Sequence, residues 1–223
     1  VKGEGGQTAP PASVRPSPST KAVAGAGDLE RERLGAFEVK SLLGSGPLAS
    51  VWCAQRVHGS GSRRVAIKGL NTCAGQDAKQ QRVQARRQIL EQLRHPHIVR
   101  LLDGGLSQQG EPYLVMEYVE GLTIDAYCRK HGLDVDRRLR LFIQVCEAVT
   151  HAHLRGVIHR DLRPSHVLVK NDGHVRILDF GVADLVEDPA GAAHAATLTG
   201  ERAAYASPEQ LRGGKVSTAT DVH

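Results

Sequence analysis

The sequence predicts an α+β fold, with short strands in its first half and longer helices in its second. Three observations carry that prediction. Phe37–Lys40, Val51–Ala54, Val65–Lys68 and Pro112–Glu117 are short runs of strand-forming residues separated by turn-rich or charged connections. Two stretches, about 78–93 and 134–155, repeat apolar residues at helical spacing. Two further β-branched runs, Val167–Val169 and Val175–Leu178, flank Asn171-Asp172-Gly173, a turn sequence that folds such a pair into a hairpin.

That hairpin organises the chemistry. Asp161 precedes it in His159-Arg160-Asp161, and Asp179 follows it in Asp179-Phe180-Gly181. Closing the hairpin draws the two carboxylates together. One is then placed to accept a proton from a hydroxyl nucleophile while the other holds a metal ion on a phosphate. A lone loop aspartate is usually only solvated. Two delivered to one place are a candidate site.

Composition narrows the classes. With 223 residues, 40% of them hydrophobic, the chain suffices for one large domain or two lobes. A net charge of +5 suits an anionic ligand. No basic run is interleaved with aromatics, so nucleic acid is not the expected partner. Cys53, Cys73, Cys128 and Cys146 are widely spaced without CxxC, which fits reduced thiols and a cytoplasmic setting. No apolar run approaches membrane-spanning length. Residues 1–33 are expected to be a disordered tail. Their first 27 hold four of the ten prolines, five glycines and no aromatic residue.

Along the chain, Leu43-Gly44-Ser45-Gly46-Pro47-Leu48-Ala49-Ser50-Val51 links the first two strands. A glycine-rich hairpin lets backbone N–H groups approach phosphate oxygens. In the third strand a period of two puts Ala66 and Lys68 on one face, and an inward lysine needs an anion. On the 78–93 helix the stripe Val83, Leu90, Leu93 leaves one slot, which Arg86 fills. On the 134–155 helix Leu139, Ile143, Cys146, Val149 and His153 form the expected stripe, closed by Gly156.

Taken in order, the glycine loop, Val65-Ala66-Ile67-Lys68, His159-Arg160-Asp161, Asp179-Phe180-Gly181 and Ser207-Pro208-Glu209 resemble the motifs of the eukaryotic-type (Hanks-type) serine/threonine protein kinases, of a bacterial kind, over residues 37–223. The resemblance implies a two-lobe fold. A small lobe at 34–117 would have five antiparallel strands and one helix, and a mainly helical large lobe at 118–223 would be cut short where the family's central helix starts. It implies ATP and Mg²⁺ as cofactors and a protein Ser/Thr hydroxyl as acceptor. Leu43, Gly44, Ser45 and Gly46 would cover the phosphates and Lys68 would hold them. Val51, Ala66 and Leu168 would sandwich the adenine, with hinge backbone at Glu117 and Val119 on its edge and Met116 behind it. Asp161 would orient the acceptor hydroxyl, Arg163 would neutralise the γ-phosphate, and Asp179 would bind Mg²⁺. Thr197 and Thr199 are the implied phosphosites.

Four positions depart from the family pattern. Ala49 replaces the third loop glycine, and Arg86 replaces a glutamate that pairs with the strand lysine, so that it would meet Lys68 cation to cation. His166 replaces a metal-binding asparagine and is itself a poor metal candidate, and Arg202 replaces a threonine. They keep open an alternative, a pseudokinase or nucleotide-binding module. At the chain's end, Asp221 is expected to hold the His159-Arg160-Asp161 backbone. Glu209 is expected to lack its arginine partner, and the inner face of the 134–155 helix to be exposed.

Overall fold

The computed structural model describes residues 33–46, 49–57, 63–70, 76–182 and 200–223. The tail, as far as residue 32, and Thr197 and Thr199 lie outside the described residues, as does Cys73. Six strands form an antiparallel sheet in the order β1-β2-β3-β4-β6-β5. They are β1 (Arg33–Leu34), β2 (Phe37–Ser45), β3 (Ala49–Arg56), β4 (Arg64–Leu70), β5 (Leu101–Leu106) and β6 (Pro112–Glu117). The five strands expected become six because Arg33, assigned to the tail by composition, pairs with Glu38.

β2 and β3 pair down to Ser45 opposite Ser50, which places the glycine loop at the hairpin tip. In β4, Val65 and Ile67 bury into one face with Phe37, Trp52 and Val115. Ala66 and Lys68 take the other face and stay half-buried, as period two requires. Helix α1 (Gln76–Leu90) begins and ends slightly earlier than its sequence pattern, and it packs on β5. Val83, Leu90 and Leu93 are buried as expected.

Beyond the hinge come β7 (Leu122–Thr123), α2 (Ile124–Lys130) and α3 (Val135–His153). The last starts where the Asp134 side chain accepts from the Arg137 backbone N–H at 2.9 Å. The chain leaves it through Gly156, whose φ of +70° is left-handed. The expected α3 stripe is corrected here. Leu141, Val145, Ala148, Val149 and Ala152 are buried, while Leu139 and Ile143 are 52% and 55% exposed and Cys146 is exposed too. The helix is apolar on two roughly opposite sides, and helical spacing fits both. Only the side facing the hairpin sheet is covered. Leu139, Phe142 and Ile143 lie on the open side.

The predicted hairpin is present as β8 (Val167–Val169) and β9 (Val175–Ile177), with Val167 opposite Ile177 and Gly173 at φ +80°. β7 adds to β8 to complete a small sheet. A parallel bridge ties Ile98 to Ile177, and Val99 N–H donates to the Ile177 carbonyl at 2.9 Å. One continuous core therefore runs from Leu70 and Val83 through Ile98, Val167 and Ile177 to α3. Two short helices, α4 (Glu201–Ala204) and α5 (Pro208–Leu211), follow before a final 3₁₀ turn at Thr218–Asp221.

Candidate active site

The two acids are brought to one histidine. His166 lies between them, its Nδ1 3.7 Å from Asp161 Oδ2 and its Nε2 3.6 Å from Asp179 Oδ2. Its place is set by the turn Pro164–His166 that leads into β8. His166 Nδ1 donates to the Asp161 carbonyl at 2.7 Å, and Nε2 accepts from Arg163 at 3.1 Å. Imidazole nitrogen is a poor ligand for Mg²⁺, and both ring nitrogens of His166 already have partners. Asp179 supplies the oxygen that Mg²⁺ prefers.

Burial pushes the Asp179 carboxyl up, but the Lys68 charge overrides it and holds the group at about 2. Lys68 Nζ donates to Asp179 Oδ2 at 2.6 Å. Arg86 does not confront Lys68 as the sequence suggested. Its Nε donates to the Gly181 carbonyl at 2.8 Å, so the two cations take different anchors in the same loop. Gly181 has a φ of +62°, and a Cβ there would run into the Arg86 guanidinium. The left-handed φ favours glycine, and any larger residue would also push the Arg86 guanidinium aside.

Asp161 is held by its loop rather than by its own carboxylate. Its N–H donates to His159 Nδ1 at 3.2 Å, so His159 carries its proton on Nε2 and donates to the Leu178 carbonyl at 2.8 Å. That ring is fully buried, stacks edge-on against Phe180 at 4.7 Å, and is kept neutral chiefly by burial. His159 thus locks one acid's loop to the other's. Sequence reasoning missed this role, because a histidine inside a motif does not reveal where its ring points.

Asp221 behaves as expected. Its carboxylate accepts from the backbone N–H groups of His159 and Arg160, both at 2.7 Å, and from His153 Nε2 at 2.8 Å. His153, assigned to an apolar stripe, is instead this polar contact. Arg160 and Asp179 are the only described non-glycine residues at positive φ, 68° and 63°. Such backbone costs about 1–3 kcal/mol per residue and persists only where the surroundings impose it. Here Asp221 and the Gln210 side chain, which donates to the Arg160 carbonyl at 2.7 Å, impose it. Glu209 is not left without a partner. Thr220 Oγ1 donates to it at 2.6 Å and draws its carboxyl below the usual range.

The Asp161 carboxylate itself faces two guanidiniums, Arg163 Nε at 3.2 Å and Arg202 Nε at 3.4 Å. Arg163 is shared further, its Nη1 pairing with Glu201. On the opposite side of the cleft, Val51 is paired with Lys68 across β3 and β4. Val51, Ala66 and Leu168 are each half-buried, and Leu168 sits between two buried neighbours. Leu43 is exposed, and a Cβ on Gly44 would meet nothing within 4 Å. Met116 is buried, and Glu117 N–H is spent on the Arg100 carbonyl. The Glu117 carboxylate pairs with Arg176, and Val119 packs on the core. At Gly121 a Cβ would lie 2.6 Å from the Val169 carbonyl oxygen, so the chain leaving the hinge must be bare.

The protein kinase domain family matches residues 37–223. Serine/threonine-protein kinase PrkC of Bacillus subtilis is 32% identical over 191 residues, spanning 85% of this chain and 29% of PrkC. PknB of Mycobacterium leprae is 31% identical over 194 residues, spanning 84% of this chain and 30% of PknB. The chain thus spans under a third of the length of these curated relatives. Among solved structures, the Mycobacterium tuberculosis PknI kinase domain superposes with a TM-score of 0.62 at 26% identity, covering 86% of this chain and 70% of that one. With an antiparallel sheet over a hairpin that carries both acids, and these relatives, the chain belongs to the protein kinase domain family, in the company of the bacterial Hanks-type serine/threonine kinases.

Proposed function

We propose that this chain transfers the γ-phosphoryl group of ATP to Ser or Thr hydroxyls of proteins. The observation that carries this is the meeting of Asp161 and Asp179 at His166, within reach of Lys68. Residues 34–117 hold the nucleotide and 118–223 present the acceptor side. Leu43 to Gly46 cover the phosphates, and the open space at Gly44 suits their close approach. Val51, Ala66 and Leu168 flank the adenine, with the Glu117 carbonyl and Val119 backbone at its edge. Asp161 accepts the hydrogen bond of the acceptor hydroxyl and orients it for in-line attack. Arg163 compensates charge on the γ-phosphate.

Bound Mg²⁺ would neutralise phosphate charge, and Asp179, ionised across the whole physiological range, is the side chain that would hold it. Lys68 is then free to exchange Asp179 for the α- and β-phosphates. Among the described residues no helix is long and apolar enough to cross a membrane. ATP supply and unpaired thiols at Cys53, Cys128 and Cys146 favour a cytoplasmic location for the domain.

The test is incubation with γ-labelled ATP and Mg²⁺ beside a Ser/Thr-rich acceptor protein, followed by identification of the labelled residue. Label on Ser or Thr, absent in Asp179→Asn, is the expected result. Saturable ATP binding with no transfer to any acceptor would make the chain a nucleotide-binding module instead.

A further inference from the structure

The α4 segment lies against the acceptor side of the site and carries Glu201 beside Arg202, the latter a departure from the family pattern. Glu201 takes Arg163 and also accepts from Ser165 Oγ at 3.1 Å. Arg202 Nε stands 3.4 Å from Asp161 Oδ2, with the side chain only 16% exposed. Neither its Nε nor its Nη1 makes a hydrogen bond, although both atoms are shut off from solvent. The two side chains assigned to the acceptor hydroxyl and the γ-phosphate are therefore both occupied by their own chain.

An enclosed guanidinium needs a counter-charge, because burying it unpaired is costly. Asp161 supplies that charge now, at 3.4 Å, while Nε and Nη1 of the arginine stay without hydrogen bonds. An acceptor hydroxyl competes for the same carboxylate. Once Asp161 turns to the hydroxyl, Arg202 requires a second anion on the acceptor side. Glu201 is already committed to Arg163 and Ser165. Among the described residues no other carboxylate pairs with Arg202, and an anion on the acceptor segment would fill that place.

We propose that Arg202 is a specificity-determining residue that selects acceptor segments bearing a carboxylate or phosphate beside the Ser or Thr hydroxyl, that anion releasing Asp161 by replacing it on Arg202. This rests on the kinase reading above and names the substrate class for it. Charge-assisted hydrogen bonds from a partly enclosed guanidinium are among the stronger polar contacts, so the preference should be about tenfold.

The experiment compares three peptides, identical except for Glu, Gln or Lys beside the acceptor Ser, in the full chain and in Arg202→Thr and Arg202→Glu. Two readouts are taken: kcat/KM for transfer, and peptide affinity by anisotropy with a non-hydrolysable ATP analogue bound. In the parent the Glu peptide should lead the Gln peptide about tenfold in both. The lead should shrink to near unity in Arg202→Thr and pass to the Lys peptide in Arg202→Glu. A lead of the same size in parent and Arg202→Thr, or no lead in the parent, overturns the proposal. If no variant transfers phosphate, the kinase reading fails, and the affinity ratios still decide the role of Arg202.

Discussion

At the scale of single residues, the site is a set of ion pairs whose members have alternative partners. Lys68 on Asp179 is the clearest. Both side chains are largely enclosed, so removing one partner leaves the other charged and buried. Lys68→Met should cost roughly 3 kcal/mol of stability and raise the Asp179 carboxyl, because burial then acts unopposed. A denaturant titration and the acid limb of a pH profile would show both effects; an unchanged midpoint would mean that Asp179 has another counter-charge. The face of Lys68 was legible in the sequence from strand period, and its need for an anion from the motif order around it. The partner of Arg86 was not, because a helical slot fixes the direction of a side chain and not how far a long one reaches. With Arg86 on the Gly181 carbonyl, Arg86→Ala should loosen the Phe180-Gly181-Val182 turn. Faster amide hydrogen exchange there, with Val65–Lys68 unchanged, is the expected pattern.

Titration at the residue scale gives a second expectation. Burial lowers the pKa of His159, and of His95 and His151 on the linking segment and α3. The unfolded chain therefore binds protons that the folded one refuses. Stability from these groups is present above the ordinary histidine value of about 6.5 and is lost as pH falls below it. Asp179, held at about 2, adds a further loss between roughly pH 4 and 2. Unfolding midpoints in urea should thus decline below about pH 6.5, and His159→Asn should be less stable throughout but flatter in that range. A profile flat down to about pH 5 in the parent would contradict the burial of these rings.

At the scale of elements, α3 shows what periodicity settles and what it leaves open. The helix, its Asp134 cap and its Gly156 exit follow from sequence chemistry. Which of two apolar sides faces the hairpin does not, because both repeat at 3.6 residues. Leu141→Ala should cost about 2–4 kcal/mol, a core truncation, whereas Leu139→Ala should stay within about 0.5 kcal/mol. Thermal denaturation of the two variants side by side checks the orientation; equal losses would put both sides in the core. The β8–β9 hairpin was legible in the sequence, because Asn171-Asp172-Gly173 marks the turn between two β-branched runs, and the second strand ends one residue short of its run. The contacts of α4 were not. Nothing in Glu201-Arg202 as sequence says that they lie over Asp161 and Arg163, since the chain reaches them from residues far away in sequence.

At the scale of the whole molecule, the last described turn supports the first catalytic motif. Asp221 bonds the backbone of His159 and Arg160 and receives His153 from α3, so three distant segments share one buried carboxylate. Through His159 the same tie reaches Leu178 and Phe180 beside Asp179. The two acids are thus placed by a continuous polar thread inside a continuous apolar core, around left-handed backbone at Arg160 and Asp179. The family motifs made this legible as far as the placement of Asp161, Asp179 and Asp221. How the departures at positions 86, 166 and 202 are absorbed took coordinates, because each replaces a short side chain or an anion with a longer cation or a ring that finds new partners. The central claim is that Asp161 orients an acceptor hydroxyl while the nucleotide is held elsewhere. It is tested most directly by the single-turnover rate of phosphate transfer in Asp161→Asn, measured beside ATP affinity in the same preparation. The expected result is a rate lower by about 10²–10⁴ with ATP affinity changed by less than about threefold. A rate equal to the parent's, or a loss of rate wholly accounted for by lost ATP binding, would contradict it.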